Sequence, residues 1–129
     1  MNPSVLVVDD EPLTRNLLRL MLERAGFDIL EAEDGLKALL SVSENKPDVI
    51  VLDVMMPHMD GLTVCEKLRS NPETAVLPII LLSARVNPEA VQEGMEAGAD
   101  EYLSKPVSRE ELIRTIRSVL EGLPSQSGG

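Results

Sequence analysis

Cysteine and histidine occur once each in this chain of 129 residues, bases are heavily outnumbered, and no apolar run approaches the length of a membrane span. A lone thiol, Cys65, cannot close an internal disulfide. Its spacing with Leu62 and Leu68 along a helix predicts a buried structural thiol. Lys and Arg total 12 against 22 Asp and Glu, a formal net charge of -10. Neutralising a phosphate backbone needs clustered bases, so direct nucleic-acid binding is excluded. The first residues lead into a short apolar run rather than a basic region with a long apolar core, so neither a targeting segment nor a membrane segment is expected. A cytoplasmic location follows as an expectation. The single histidine, His58, stands in a proline-containing loop and is expected to be exposed, with no part in proton relay.

What the chain does contain is 43% hydrophobic residues, enough for one module with one substantial core. The apolar, β-branched runs predict five short strands, over 4–8, 27–31, 49–52, 78–82 and 100–103. Helical spacing and end signals predict five helices between and after them. Pro12 opens the first, with Leu13, Leu17, Leu18, Met21 and Ala25 recurring until Gly26 stops it. Asp34 and Gly35 introduce the second, through about residue 44, with Leu36, Leu39 and Leu40 expected on its inner face. The third runs over 61–70. Asn87 and Pro88 open a fourth through Ala97; it contains Gly94, and its low apolar content marks it as an expected mobile element. A capping-box pattern, Ser108-Arg109-Glu110-Glu111, opens the last, with Leu112, Ile113, Ile116, Val119 and Leu120 inward. Residues 1–122 are thus read as one domain and 123–129 as a flexible tail or linker remnant. Strands alternating with helices imply a (βα)5 flavodoxin-like, doubly wound parallel five-stranded sheet, with strand order 2-1-3-4-5 and right-handed crossovers.

In that order the first and third strands are neighbours, so Asp9 and Asp10, which follow the first, meet Asp53, which ends the third. A like-charged pair about 4 Å apart costs roughly 4 kcal/mol at an effective dielectric of about 20. Three such carboxylates call for a bound cation. Mg²⁺ suits them, because it takes oxygen ligands, keeps several waters and pairs one or two carboxylates with a phosphate. Ser83 ends the fourth strand and Lys105 follows the fifth, adding a hydroxyl and an ammonium that suit a phosphoryl group. Carboxylates can act as nucleophiles toward phosphorus, and Asp53 is the candidate nucleophile. Met55, Met56 and Met59 are expected to serve packing and loop contacts, since thioethers do not suit Mg²⁺.

The chain resembles the receiver domain of two-component response regulators over residues 5 to about 120. The motifs that carry the resemblance are Val7-Val8-Asp9-Asp10-Glu11, Asp53 with Met56-Pro57-x-Met59-Asp60-Gly61, Ser83-Ala84, and Ala97-Gly98-Ala99-Asp100-x-Tyr102-Leu103-x-Lys105-Pro106. The resemblance implies that Asp53 accepts a phosphoryl group from a sensor histidine kinase or phosphotransfer protein. It implies further that Asp9, Asp10, Asp53 and the backbone carbonyl of Met55 hold Mg²⁺, that Lys105 contacts the phosphate, and that Ser83, standing where the family also uses Thr, hydrogen-bonds it. Lys105-Pro106 is expected in the cis form. Ser83 and Tyr102 are the implied switch pair, presenting the fourth helix, fifth strand and fifth helix to an output domain or partner protein. A phosphorylation-dependent homodimer is left open.

Two rivals stand beside this reading. A haloacid-dehalogenase-like Mg²⁺-dependent phosphatase also uses an Asp nucleophile, a hydroxyl and a Lys, but its signature places a second Asp two residues on, where this chain has Met55. A receiver-like module that no longer uses phosphate is the other. The main expectation is a switch that catalyses only its own phosphorylation and dephosphorylation.

Overall fold

The computed structural model describes residues 2–122; the expected tail over 123–129 lies outside the described residues. Strands and helices alternate as β1 (Ser4–Val8), α1 (Pro12–Arg24), β2 (Asp28–Ala32), α2 (Gly35–Asn45), β3 (Val49–Asp53), α3 (Gly61–Ser70), β4 (Ile79–Ser83), α4 (Pro88–Glu96), β5 (Glu101–Ser104) and α5 (Arg109–Leu120). The strands form one parallel sheet in the order β2-β1-β3-β4-β5, as the alternation predicts.

Because side chains alternate across a strand, the central strands feed two cores. Leu6, Val8, Ile50, Leu52, Ile79 and Leu81 pack beneath α2, α3 and α4 with Ala38, Val64 and Leu68. Val5, Val7, Val49, Val51, Ile80 and Leu82 pack beneath α1 and α5 with Leu18, Leu22, Leu112 and Ile116. Every residue of β3 and β4 is buried, which explains their unbroken apolar runs.

Short polar side chains set the helix starts. Asp34, Asp60, Asn87 and Ser108 each accept a hydrogen bond from the backbone N–H three residues on, at 2.8, 2.9, 3.2 and 3.1 Å. Cys65 is fully buried and its thiol donates to the Ala97 carbonyl at 3.3 Å. Burial pushes that thiol up to about 11, so it stays protonated at neutral pH.

The helix faces depart from expectation in two places. Of the α1 series, Leu18 is buried and Met21 and Ala25 pack against the core as the spacing predicts, but Leu13 and Leu17 are 79% and 54% exposed and Leu22 completes the buried face. Leu36 and Leu40 are likewise exposed, and α2 turns Gly35, Ala38 and Val42 inward. Spacing fixes the period of a helix but not its phase, and both helices carry leucine on more than one side. On α2 the small residues win, because Gly35 lies against Met59 so closely that an added Cβ would come within 2.9 Å of its sulfur. Strand ends shift by a residue as well: Phe27 precedes β2 rather than opening it, yet is buried in the core under α1 and α5.

Candidate functional site

Register brings the acids together. Val8 of β1 pairs with Leu52 of β3, so the next residues, Asp9 and Asp53, leave the sheet side by side. Their side chains are 1% and 5% exposed, whereas Asp10, one residue on, faces solvent. Ligand oxygens of Asp9, Asp10 and Asp53 all lie within 4.8 Å of one another. Lys105 reaches across from the end of β5, its Nζ 2.9 Å from Asp9 Oδ2 and 3.3 Å from Asp53 Oδ2.

The local backbone holds each acid in place. Asp9 Oδ1 accepts the Glu11 N–H at 2.9 Å, tying the carboxylate to the start of α1, and Asp53 Oδ1 accepts the Met55 N–H at 3.2 Å. Beyond β3 the loop doubles back, with the Gly61 N–H on the Val54 carbonyl at 2.9 Å. Only glycine fits there: a Cβ on Gly61 would stand 2.3 Å from the Asp53 carbonyl oxygen and 2.9 Å from the Val54 Cα. Within the same loop Met59 N–H bonds the Pro57 carbonyl at 2.8 Å around His58, whose φ of 70° is a left-handed value uncommon outside glycine. His58 is exposed, as its loop position predicts.

Ser83, fully buried at the end of β4, is paired in register with Ser104 of β5, and its Oγ accepts the Arg85 N–H at 3.0 Å. The Ser83 carbonyl accepts the Lys105 N–H at 3.0 Å, which fixes the lysine's backbone beside the serine. The Lys105-Pro106 bond is cis. Met55, the expected carbonyl donor, follows Asp53 by two residues with its side chain 56% exposed.

Charge and burial compete here. Desolvation pushes the Asp53 carboxyl above its ordinary value; Lys105 opposes this and the neighbouring Asp9 charge adds to it. For Lys105, desolvation alone would lower the ammonium's pKa, but the Asp9 hydrogen bond and the Asp53 and Asp9 charges outweigh it, and the net direction is upward. Three carboxylates thus face one ammonium. The donor set is all oxygen, partly buried and open to solvent through Asp10, which fits a hard divalent cation that retains water.

Two contacts at this rim were not read from the sequence. Arg15 on α1 donates from Nη1 to the Asp9 carbonyl at 2.8 Å and from Nε to Glu31 at 3.2 Å, bracing the loop that carries both acids. Tyr102 donates its hydroxyl to the Arg85 carbonyl at 2.5 Å, two residues beyond Ser83. A base four residues after Glu11 on a helix, and a lone tyrosine, give little local signal of partners in other elements.

A parallel sheet of this order with acids at the finishing ends of β1 and β3, a hydroxyl at the end of β4 and a lysine just after β5 defines the receiver class of signalling domains. The chain belongs to the response regulator receiver domain family, whose model matches residues 5–117. The response regulator MprA of Mycobacterium sp. (strain KMS) is 44% identical over 124 residues, covering 96% of this chain and 53% of that protein. The receiver domain of the Francisella response regulator 1452 has a solved structure that matches with a TM-score of 0.87 at 38% identity, covering 93% of this chain and 98% of that one. The receiver domain of sensor histidine kinase PA1611 from Pseudomonas aeruginosa PAO1, solved with a magnesium ion coordinated in its active-site cleft, matches with a TM-score of 0.87 at 27% identity over 94% of this chain and 99% of that one. The chain spans about half the length of the curated relatives it matches. These likenesses support the receiver reading over the haloacid-dehalogenase-like phosphatase. Among the described residues no helix is long and apolar enough to cross a membrane.

Proposed function

We propose that this chain is a phosphorylation-activated switch of a two-component system, acting in the cytoplasm, with Asp53 as the phosphoacceptor. The observation that carries the reading is the pair of buried carboxylates, Asp9 and Asp53, sharing the single ammonium of Lys105. A carboxylate oxygen of Asp53 attacks the phosphorus of a phosphohistidine on a sensor kinase or phosphotransfer protein. The P–N bond breaks, an acyl phosphate forms on Asp53, and the departing imidazole takes up a proton from solvent. Lys105 meets the incoming phosphoryl oxygens and offsets their charge, while the Ser83 hydroxyl donates to one of them. Asp9, Asp10, Asp53 and the Met55 carbonyl would hold Mg²⁺, which when bound supplies charge neutralisation for the phosphoryl transfer.

Recruitment of Ser83 toward the phosphoryl group draws on the segment that Tyr102 already holds at Arg85, and the surface of α4, β5 and α5 changes with it. That surface addresses an output domain or a partner protein, or a second copy of the chain. The only reactions catalysed are the domain's own phosphorylation and dephosphorylation.

Incubation with acetyl phosphate and Mg²⁺ followed by intact-mass spectrometry tests the assignment. Wild type gains one hydroxylamine-labile phosphoryl group and Asp53→Asn gains none. Labelling of Asp53→Asn equal to wild type, or no labelling of wild type, overturns the reading. Sustained multiple-turnover hydrolysis of phosphate esters would favour a phosphatase instead.

A further inference from the structure

The fourth helix reads from sequence as a weak one, because glycine in a helix interior has no side chain to pack and loses more backbone freedom than alanine. In the structure Gly94 is buried in the last turn of α4, directly against the ring of Tyr102. A Cβ at position 94 would lie 2.6 Å from Tyr102 Cδ2, 2.9 Å from Cε2 and 3.0 Å from Leu81 Cδ1. Separations that short between carbon atoms are not tolerated, so something must move. Leu81 Cδ1 is the free end of a flexible side chain and can turn away. The tyrosine ring has no such freedom, being anchored at one end by β5 and at the other by its hydroxyl on the Arg85 carbonyl.

We propose that Gly94 is the positioning residue for Tyr102: the bare backbone at this point of α4 is the notch that admits the ring, and any side chain there expels it. The half-buried ring joins three elements at once, β5 through its own backbone, the loop after Ser83 through its hydroxyl, and α4 through Gly94. Helix stability is given up at 94 in exchange for that contact. The notch therefore sets how readily the ring occupies its inner position, independently of any chemistry at Asp53. Its consequence for signalling rests on the function proposed above.

Tyr102 is the sole tyrosine and the chain has no tryptophan, so tyrosine emission reports this ring alone. The test is acrylamide quenching of the full chain, metal-free and unphosphorylated, for wild type and Gly94→Ala. Freed from the notch, the ring faces water, and the quenching constant rises roughly twofold or more. A constant equal to that of wild type overturns the proposal. Melting temperatures supply the second arm. Gly94→Ala lowers the melting temperature in the wild-type background and raises it in a Tyr102→Ala background, where only helix propensity remains. If Gly94→Ala alone fails to fold, recovery of folding in Gly94→Ala/Tyr102→Ala supports the steric conflict. Continued failure of the double variant, with Tyr102→Ala folded, overturns it. Acetyl phosphate labelling of Gly94→Ala proceeds as in wild type, so loss of labelling in wild type would count against the phosphoacceptor assignment and not against the notch.

Discussion

At the edge of the sheet where the strands begin, Asp48 and Asp100 are each held by more than one donor; at the edge where they finish, three aspartates crowd around one ammonium. Asp48 accepts the Ser4 N–H at 2.7 Å and the Ser4 hydroxyl at 3.3 Å, stitching β1 to the start of β3. Asp100 accepts the Ile79 N–H at 2.8 Å and Arg69 Nη2 at 3.0 Å, stitching β4 to the start of β5. Arg69 also donates to the carbonyls of Gly98, Ala75 and Leu77, at 2.8, 3.2 and 2.6 Å. At the other edge Asp9, Asp10 and Asp53 crowd together against Lys105, in an environment that disfavours the charge on Asp53. One residue type thus does two jobs, and the ratio of local donors to carboxylates tells them apart.

That contrast can be broken from either side. The largest effect is expected for Gly61→Ala, whose Cβ would meet the Asp53 carbonyl and the Val54 Cα, all backbone atoms. Neither can yield, and overpacking of this kind costs about 3 kcal/mol, read as a lower urea midpoint, with slower labelling of Asp53 by acetyl phosphate. Arg69→Ala strikes the opposite edge. It strips three carbonyls and Asp100 of a donor and is expected to cost about 2 kcal/mol, allowing for the partial exposure of the ion pair. Its labelling rate should match wild type, since the two edges are separated by the length of the strands.

The smallest effect is the most diagnostic in sign. In metal-free protein the folded state holds the Asp53 carboxyl above its ordinary value of 3.8, so the protonated form is the one the fold favours. Asp53 therefore contributes its full share to stability only below 3.8 and loses it as pH rises through the raised folded value. Asp53→Asn does not titrate. The variant should unfold at a higher temperature than wild type at neutral pH, and this advantage should shrink as pH falls toward 3.8. An advantage that grew on acidification would contradict the charge crowding.

Much of this arrangement is legible in the residues themselves. Short β-branched runs ending in Asp9, Asp53 and Ser83 mark the strands and their finishing edge, because strands buried on both faces must be apolar throughout. The order of the sheet then brings the acids together. Less was legible where phase or distance decides. Leu13, Leu17, Leu36 and Leu40 keep helical spacing yet point outward, while Leu18 and Leu22 on α1 and Ala38 and Val42 on α2 face the sheet. Arg69 and Asp100 meet across 31 positions, and no local pattern announces that an arginine at a helix end will cap two loops. The meaning of Gly94 needed the ring of Tyr102 to be in place.

Thermal unfolding with and without Mg²⁺ at matched ionic strength tests the central contrast most directly. A ligand bound only by the folded state raises the melting temperature in proportion to its occupancy. Wild type and Arg69→Ala are predicted to gain stability with Mg²⁺, while Asp9→Asn and Asp53→Asn lose most or all of that gain. An equal Mg²⁺ shift in all four proteins, or none in wild type, would contradict the assignment of the finishing edge as a cation site.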